Sequence, residues 1–187
     1  IADATKLFLT CEPGIGYGGS YSQFRAFESS YIQNFTYGSE HPRESINGRY
    51  YDRVIPNYFD PEDFEYSGKK KDYYLYIGRL INRKGVMTAV KATQHLKKKL
   101  MVVGQKDEID PYSLPDNCEY IGSVGVGERK KIMSEAIATF TPSEYLEPFA
   151  GTHVESMLSG TPPITTNFGV FPETIPDYLN GQVGFRC

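Results

Sequence analysis

From Tyr73 onward, short apolar runs alternate with segments whose apolar residues recur at helical spacing. Tyr73 to Ile77 is aromatic and β-branched and stops at Gly78, which predicts a strand. Residues 84–96 follow with Val86, Ala89, Val90 and Ala92 on one side, the pattern of an amphipathic helix. Leu100 to Val103 predicts a second strand, ending at Gly104, and Tyr120-Ile121 a third, ending at Gly122. A helix over 127–136, a strand over Ile137 to Phe140, a helix over 152–159 and a strand over Pro163 to Thr165 complete the series. Gly184 to Cys187 reads as the start of a further strand. This alternation predicts right-handed βαβ units and an α/β, Rossmann-like parallel sheet with helices on both faces. Ligands of such sheets sit beyond the carboxyl ends of the strands.

The first third is less regular. Residues 6–10 predict a strand, Pro13 to Gly19 is glycine-rich, residues 20–35 are compatible with a helix and 38–53 read as a polar loop. Val54-Ile55 runs into Pro56-Asn57, a strand end followed by a turn, and 61–72 is a charged linker into a new unit. Gly14 to Gly19 matches G-x-G-x-x-G, but no second strand closed by an acidic residue follows it. A plain glycine-rich turn is therefore expected there, rather than a dinucleotide cradle.

Composition narrows the function. Hydrophobic residues make up 40% and charged residues 23%, as in ordinary globular chains. A formal charge of −3 argues against nucleic-acid binding. The basic runs Lys69 to Lys71, Lys97 to Lys99 and Arg129 to Lys131 are short and separate, and predict solvated surface; peripheral contact with an anionic membrane is the lesser reading. Most aromatic residues precede residue 80, which predicts a packed N-terminal segment. Cys11, Cys118 and Cys187 lack metal-ligand spacing and fit a reducing, cytoplasmic setting. No apolar run approaches the ~20 residues that span a bilayer.

Two segments carry candidate chemistry. Arg79 follows the strand ending at Gly78, and Lys84 opens the next helix. Two cations at that loop can hold a diphosphate, Arg as a planar fork and Lys as a point charge; the alternative is two solvated cations. In the second segment Glu147 and Glu155 flank a loop-to-helix junction at Gly151-Thr152. Backbone N–H groups from Phe149 through Ala150, Gly151 and Thr152 to His153 would face an anion at the helix N-terminus. Glu147 could then accept from sugar hydroxyls and Glu155 from a ribose. Thr152-x-x-Glu155 is also a capping-box pattern, which would give Glu155 a purely structural role. His153 is expected to be packed or at the surface rather than catalytic. The chain has no Asp-x-Asp pair to hold a divalent cation on a sugar nucleotide.

In order, Val54-Ile-Pro-Asn57, Gly78-Arg79 to Lys84-Gly85, Pro142-Ser143, Glu147 to Glu155, Gly160-Thr-Pro162 and Phe171-Pro-Glu173 resemble glycosyltransferase family 4 over about residues 54–187. The resemblance implies a GT-B fold of two Rossmann-like domains, with the nucleotide sugar in the C-terminal one. It implies sugar transfer from a UDP or GDP donor to a saccharide, lipid or other hydroxyl acceptor, with retention of anomeric configuration and without a metal or other cofactor. Carried over by position, Gly78, Arg79 and Lys84 bind the donor diphosphate, Glu147 contacts the transferred sugar as the catalytic carboxylate, and Glu155 holds the ribose. The backbone from Phe149 to Thr152 cradles phosphate, and Gly122 to Val124 lies near the base. The family's Glu-x-Phe-Gly is here Glu147-Pro-Phe-Ala150, with the glycine displaced to Gly151.

On this reading residues 1–55 are the end of an N-terminal acceptor domain. Residues 56–187 form the donor-binding domain, which would continue past Cys187, and the isolated piece could be inactive. Its setting would be cytoplasmic, with the inner face of a membrane as an alternative. The rival readings are a sugar-nucleotide epimerase or phosphorylase of the same fold, and a non-catalytic nucleotide-sugar-binding module.

Overall fold

The computed structural model describes residues 9–40, 49–176 and 183–187. They fall into two units, one up to Tyr58 and one from Phe59 to Cys187.

In the first unit, strands β1 (Cys11–Ile15), β2 (Phe24–Phe27) and β3 (Arg53–Val54) pair in parallel in that order, with helix α1 over Ser30–Glu40. Two expectations change here. Of the strand expected at 6–10, residues 6–8 lie outside the described residues, and Leu9 and Thr10 are not in a strand; the strand begins at Cys11. It accommodates Pro13 and Gly14 because the register shifts between Glu12 and Ile15, where Gly14 adopts φ +64°. Such an irregularity is where a strand tolerates both residues.

The helix expected over 20–35 begins only at Ser30, because Phe24–Phe27 is a strand. Gly14 to Gly19 is thus followed by a strand and not by a helix N-terminus, as a plain turn would be. Glu12 holds that turn from within. Its buried carboxylate accepts from the Tyr17 hydroxyl at 2.7 Å and from the Tyr21 and Ser22 N–H groups at 3.0 Å. Burial pushes the Glu12 pKa up, but these hydrogen bonds outweigh it and hold it below the ordinary value.

The second unit matches the predicted alternation. Its elements are β4 (Tyr74–Ile77), α2 (Val86–His95), β5 (Leu100–Val103), β6 (Cys118–Gly122), α3 (Val126–Glu135), β7 (Thr139–Thr141), α4 (Gly151–Leu158), β8 (Pro163–Thr165), α5 (Phe171–Thr174) and β9 (Phe185–Arg186). The described strands form one parallel sheet in the order β6-β5-β4-β7-β8-β9. From β4 the chain winds outward through β5 and β6, then returns to β7 on the other side. The strand order therefore reverses between β4 and β7, a crevice where doubly wound sheets bind ligands.

Alternation along β4 supplies both faces of the sheet. Tyr76 joins Val86, Ala89 and Val90 of α2, with Leu80, Leu100, Val102 and Phe140, in one apolar cluster. Leu75 and Tyr73 join Val103, Met133 and Ala136 in another. Each fully buried side chain of this kind contributes roughly 1.5–3 kcal/mol.

The linker lysines are only partly the solvated surface their sequence suggests. Lys70 Nζ donates to the Ser134 and Gly160 carbonyls at 2.7 and 2.9 Å and to Thr161 Oγ1 at 2.8 Å. It thereby satisfies carbonyls near the C-terminal ends of α3 and α4, where a cation is favoured. Among the described residues no helix is long and apolar enough to cross a membrane.

Candidate functional site

A cleft opens where β4 and β7 end side by side. Tyr76, Ile77 and Gly78 form one wall, Phe140, Thr141 and Ser143 the other, and Lys84, Glu147, Ala150, Gly151 and Thr152 close it. The sheet reversal thus brings together Gly78, Lys84, Glu147 and the start of α4, which are more than 60 residues apart at their extremes in sequence.

Two glycines make this approach possible. Gly85 has φ +71°, and a Cβ there would lie 1.9 Å from the Pro142 carbonyl oxygen. The loop carrying Lys84 therefore rests directly on the backbone that leads into Ser143. Gly104 has φ +141°, and its Cβ would lie 1.9 Å from the Gly78 carbonyl oxygen, so β5 exits against the backbone at the end of β4.

Glu147 is at the centre and only 3% exposed. Its Oε1 accepts from Lys84 Nζ at 2.5 Å and from Ser143 Oγ at 2.6 Å; its Oε2 accepts from the Tyr145 hydroxyl at 2.6 Å. A buried carboxylate needs such donors, because an uncompensated charge in the interior is very costly. Burial would lower the Lys84 pKa, but its hydrogen bonds and the charge of Glu147, with Tyr145, prevail and raise it.

Helix α4 begins at Gly151, with Ala150 as its N-cap at φ 59°, ψ 62° and no side-chain cap hydrogen bond. This corrects the capping-box expectation, since Thr152 lies inside the helix. Glu155 does not reach back to the cap; it accepts from Arg129 Nη2 at 2.7 Å. Burial raises the Glu155 pKa, and Arg129 opposes the shift. With no side chain on its cap, α4 presents its first N–H groups towards the cleft lined by Ala150, Gly151 and Thr152.

The left-handed conformation of Ala150 explains the glycine at this position in the family pattern. A non-glycine residue there costs roughly 1–2 kcal/mol. Ala150→Gly should therefore raise stability by about 0.5–1 kcal/mol, after deducting the entropy that glycine adds to the unfolded chain. Urea unfolding of the two proteins measures this directly, and an unchanged or lower midpoint would refute it.

The remaining sequence candidates lie around the cleft rather than in it. Arg79 is exposed, with no side-chain hydrogen bond or ion pair among the described contacts, so it does not share a partner with Lys84. Phe149 is 5% exposed and stacks on Phe59 at 6.1 Å, which anchors the loop by its ring. His153 is fully buried, with Nδ1 on the Ala150 carbonyl and its ring edge-on to Phe171 at 5.3 Å. Burial lowers its pKa to about 4, so it is neutral and packed at pH 7.

Sequence reasoning did not find Tyr145, Arg129 or Ser143's role as a donor. The signal that could have found two of them is the need of a buried Glu147 for nearby hydroxyl donors, which Ser143 and Tyr145 meet within four residues. Arg129 had no such signal, since its contact with Glu155 joins α3 to α4.

Comparison with known proteins gives the same placement. The chain is 30% identical over 125 residues to a glycogen synthase of Mycobacterium tuberculosis, covering 60% of this chain and 29% of that protein. Among solved structures, a sucrose-phosphate synthase from Thermosynechococcus elongatus superimposes with a TM-score of 0.69 at 23% identity, over 89% of this chain and 45% of that one. Anabaena HepE in complex with UDP-glucose superimposes with a TM-score of 0.70 at 18% identity, over 89% of this chain and 50% of that one. The chain thus spans under a third of the curated relative and about half of the solved structures. The family model described as glycosyl transferases group 1 matches residues 60–185, well over half of the sequence. With its Rossmann-like parallel sheet of the GT-B type, the chain belongs to the glycosyl transferases group 1 family.

Proposed function

We propose that this chain is the donor-binding part of a retaining, metal-independent glycosyltransferase that moves a sugar from a UDP or GDP donor to a hydroxyl acceptor. The observation that carries the reading is the cleft between β4 and β7, where the Lys84–Glu147 pair faces the uncapped start of α4. A diphosphate fits the helix end and the two nearby cations, Lys84 in the cleft and the exposed Arg79 beside it. HepE, solved with UDP and with UDP-glucose, supports a nucleotide sugar as the ligand class. Three free cysteines favour a cytoplasmic setting.

The chemistry follows from where charge develops. As the sugar–phosphate bond breaks, the sugar becomes oxocarbenium-like and negative charge collects on the leaving diphosphate. N–H groups of Gly151 and Thr152 meet that charge without reorganising, the most effective form of electrostatic help. Lys84 moves part of its attention from Glu147 to the diphosphate, which frees a carboxylate oxygen for a sugar hydroxyl. In the retaining course the acceptor attacks from the face the phosphate leaves, and a phosphate oxygen takes its proton.

UDP or GDP at a hundred times its Kd should add about 2.7 kcal/mol to the folded state, raising Tm by about 5–10 °C. Arg79→Ala should weaken that binding by roughly 1.5–3 kcal/mol, the range of a hydrogen bond to a charged group. If no nucleoside diphosphate shifts the melting curve, the donor site is misassigned. Release of UDP from UDP-glucose by the full-length protein separates a transferase from a binding module.

A further inference from the structure

The two oxygens of the Glu147 carboxylate are held unequally. Lys84 and Ser143 both donate to Oε1, whereas the Tyr145 hydroxyl is the described donor to Oε2. The terminal torsion of a glutamate is broad and roughly two-fold, so donors on one oxygen alone leave the carboxylate plane loosely set. A donor on the second oxygen fixes it. The Tyr145 ring also presents its face to two cations, Lys84 Nζ and the Arg83 guanidinium, each 5.1 Å from the centroid. Tyr145 is half-buried and does not line the cleft. Its burial, and then its bond to Glu147, raise its pKa above the ordinary 10, so the phenol keeps its proton at neutral pH.

We propose that Tyr145 is a positioning residue: its hydroxyl sets the aim of the Glu147 carboxylate at the transferred sugar, and its ring steadies the Lys84 ammonium. This rests on the donor-site reading above. The two parts of the side chain act on different parts of the ligand, and this makes them separable. The hydroxyl serves chiefly the contact with the sugar through Glu147, with a lesser hold on Lys84, and the ring serves the contact with the diphosphate through Lys84.

Calorimetric titration of the chain with UDP and with UDP-glucose tests this, in the unaltered protein, Tyr145→Phe and Tyr145→Ala. In Tyr145→Phe the Kd for UDP should stay within about twofold, while that for UDP-glucose rises about tenfold, the scale of one lost hydrogen bond to a charged group. Tyr145→Ala, which removes the ring as well, should weaken UDP and UDP-glucose together. UDP-glucose affinity unchanged in Tyr145→Phe overturns the proposal. So does an equal loss for both ligands in Tyr145→Phe, the mark of a merely structural tyrosine. If the unaltered chain binds none of UDP, ADP and GDP, the donor-site reading itself fails and the proposal falls with it. If ADP or GDP binds instead, the same comparison uses ADP-glucose or GDP-mannose.

Discussion

Lys84→Ala should cut nucleoside-diphosphate affinity by more than tenfold and lower the stability of the folded chain by about 2–3 kcal/mol. The two losses have one origin. On the proposed function Lys84 is one of two cations that meet the diphosphate, and it also neutralises Glu147, which is almost fully buried. Removing one partner of a buried pair costs 3–5 kcal/mol when the remaining charge is stranded. Here a quarter of the lysine side chain is exposed, and Ser143 and Tyr145 still donate to the carboxylate, so the lower figure applies. The double change Lys84→Met with Glu147→Gln should recover most of the stability and none of the affinity. Chemical unfolding and calorimetry on the three proteins separate these contributions. Retention of full affinity by Lys84→Ala would remove the lysine from the donor site. The pH dependence has a definite sign: the folded-state pKa of Lys84 is raised, so the pair stabilises fully at neutral pH. That contribution fades only as pH climbs past 10.5, the ordinary value of a lysine.

The second unit was legible because its central strands β4 and β5 are largely buried and read as apolar runs, each followed by a glycine. Leu100–Val103 and Tyr74–Ile77 stand where the pattern puts them. The first unit hides its strands because charged residues are buried in them beside the apolar ones. Arg25 is 3% exposed in the middle of β2, paired with Asp52 and Glu40. Glu12 is equally buried in β1. A hydrophobic pattern cannot announce an arginine or a glutamate as interior, so 20–35 read as one helix.

The site divides in the same way. Lys84, Glu147 and the helix start were suggested by local spacing and singled out by the resemblance to glycosyltransferase family 4, and the fold brings them to one cleft. The capping box misled because Ala150 adopts a left-handed conformation that places the cap two residues earlier than Thr152. Tyr145 and Arg129 act through contacts that depend on the folded positions of side chains, about which spacing says nothing.

Gly85→Ala should be among the most damaging single methyl additions in the chain's second unit. Gly85 joins the short turn carrying Lys84 to helix α2, accepting there the Thr88 and Ala89 N–H groups. Its φ of +71° alone costs an alanine roughly 1–2 kcal/mol. The larger obstacle is the Pro142 backbone, whose carbonyl oxygen and carbon would lie 1.9 and 2.8 Å from the new Cβ. Backbone on both sides cannot swing away as a flexible side chain could, and overpacking of this kind adds about 1–3 kcal/mol. Together the penalty is about 2–5 kcal/mol, a large share of the 5–15 kcal/mol typical of a domain, and Tm should fall by about 4–20 °C. Gly122→Ala is the matched control, since Gly122 has φ +78° but no atom within 4 Å of its Cβ position. It should lose only the conformational 1–2 kcal/mol. Any relief of the clash must separate the Lys84 loop from the backbone leading to Ser143 and Glu147. The folded fraction of Gly85→Ala should therefore bind UDP or GDP at least tenfold more weakly. Equal melting temperatures for the two variants would mean that strain alone, and not the close approach of these two loops, makes glycine necessary at position 85.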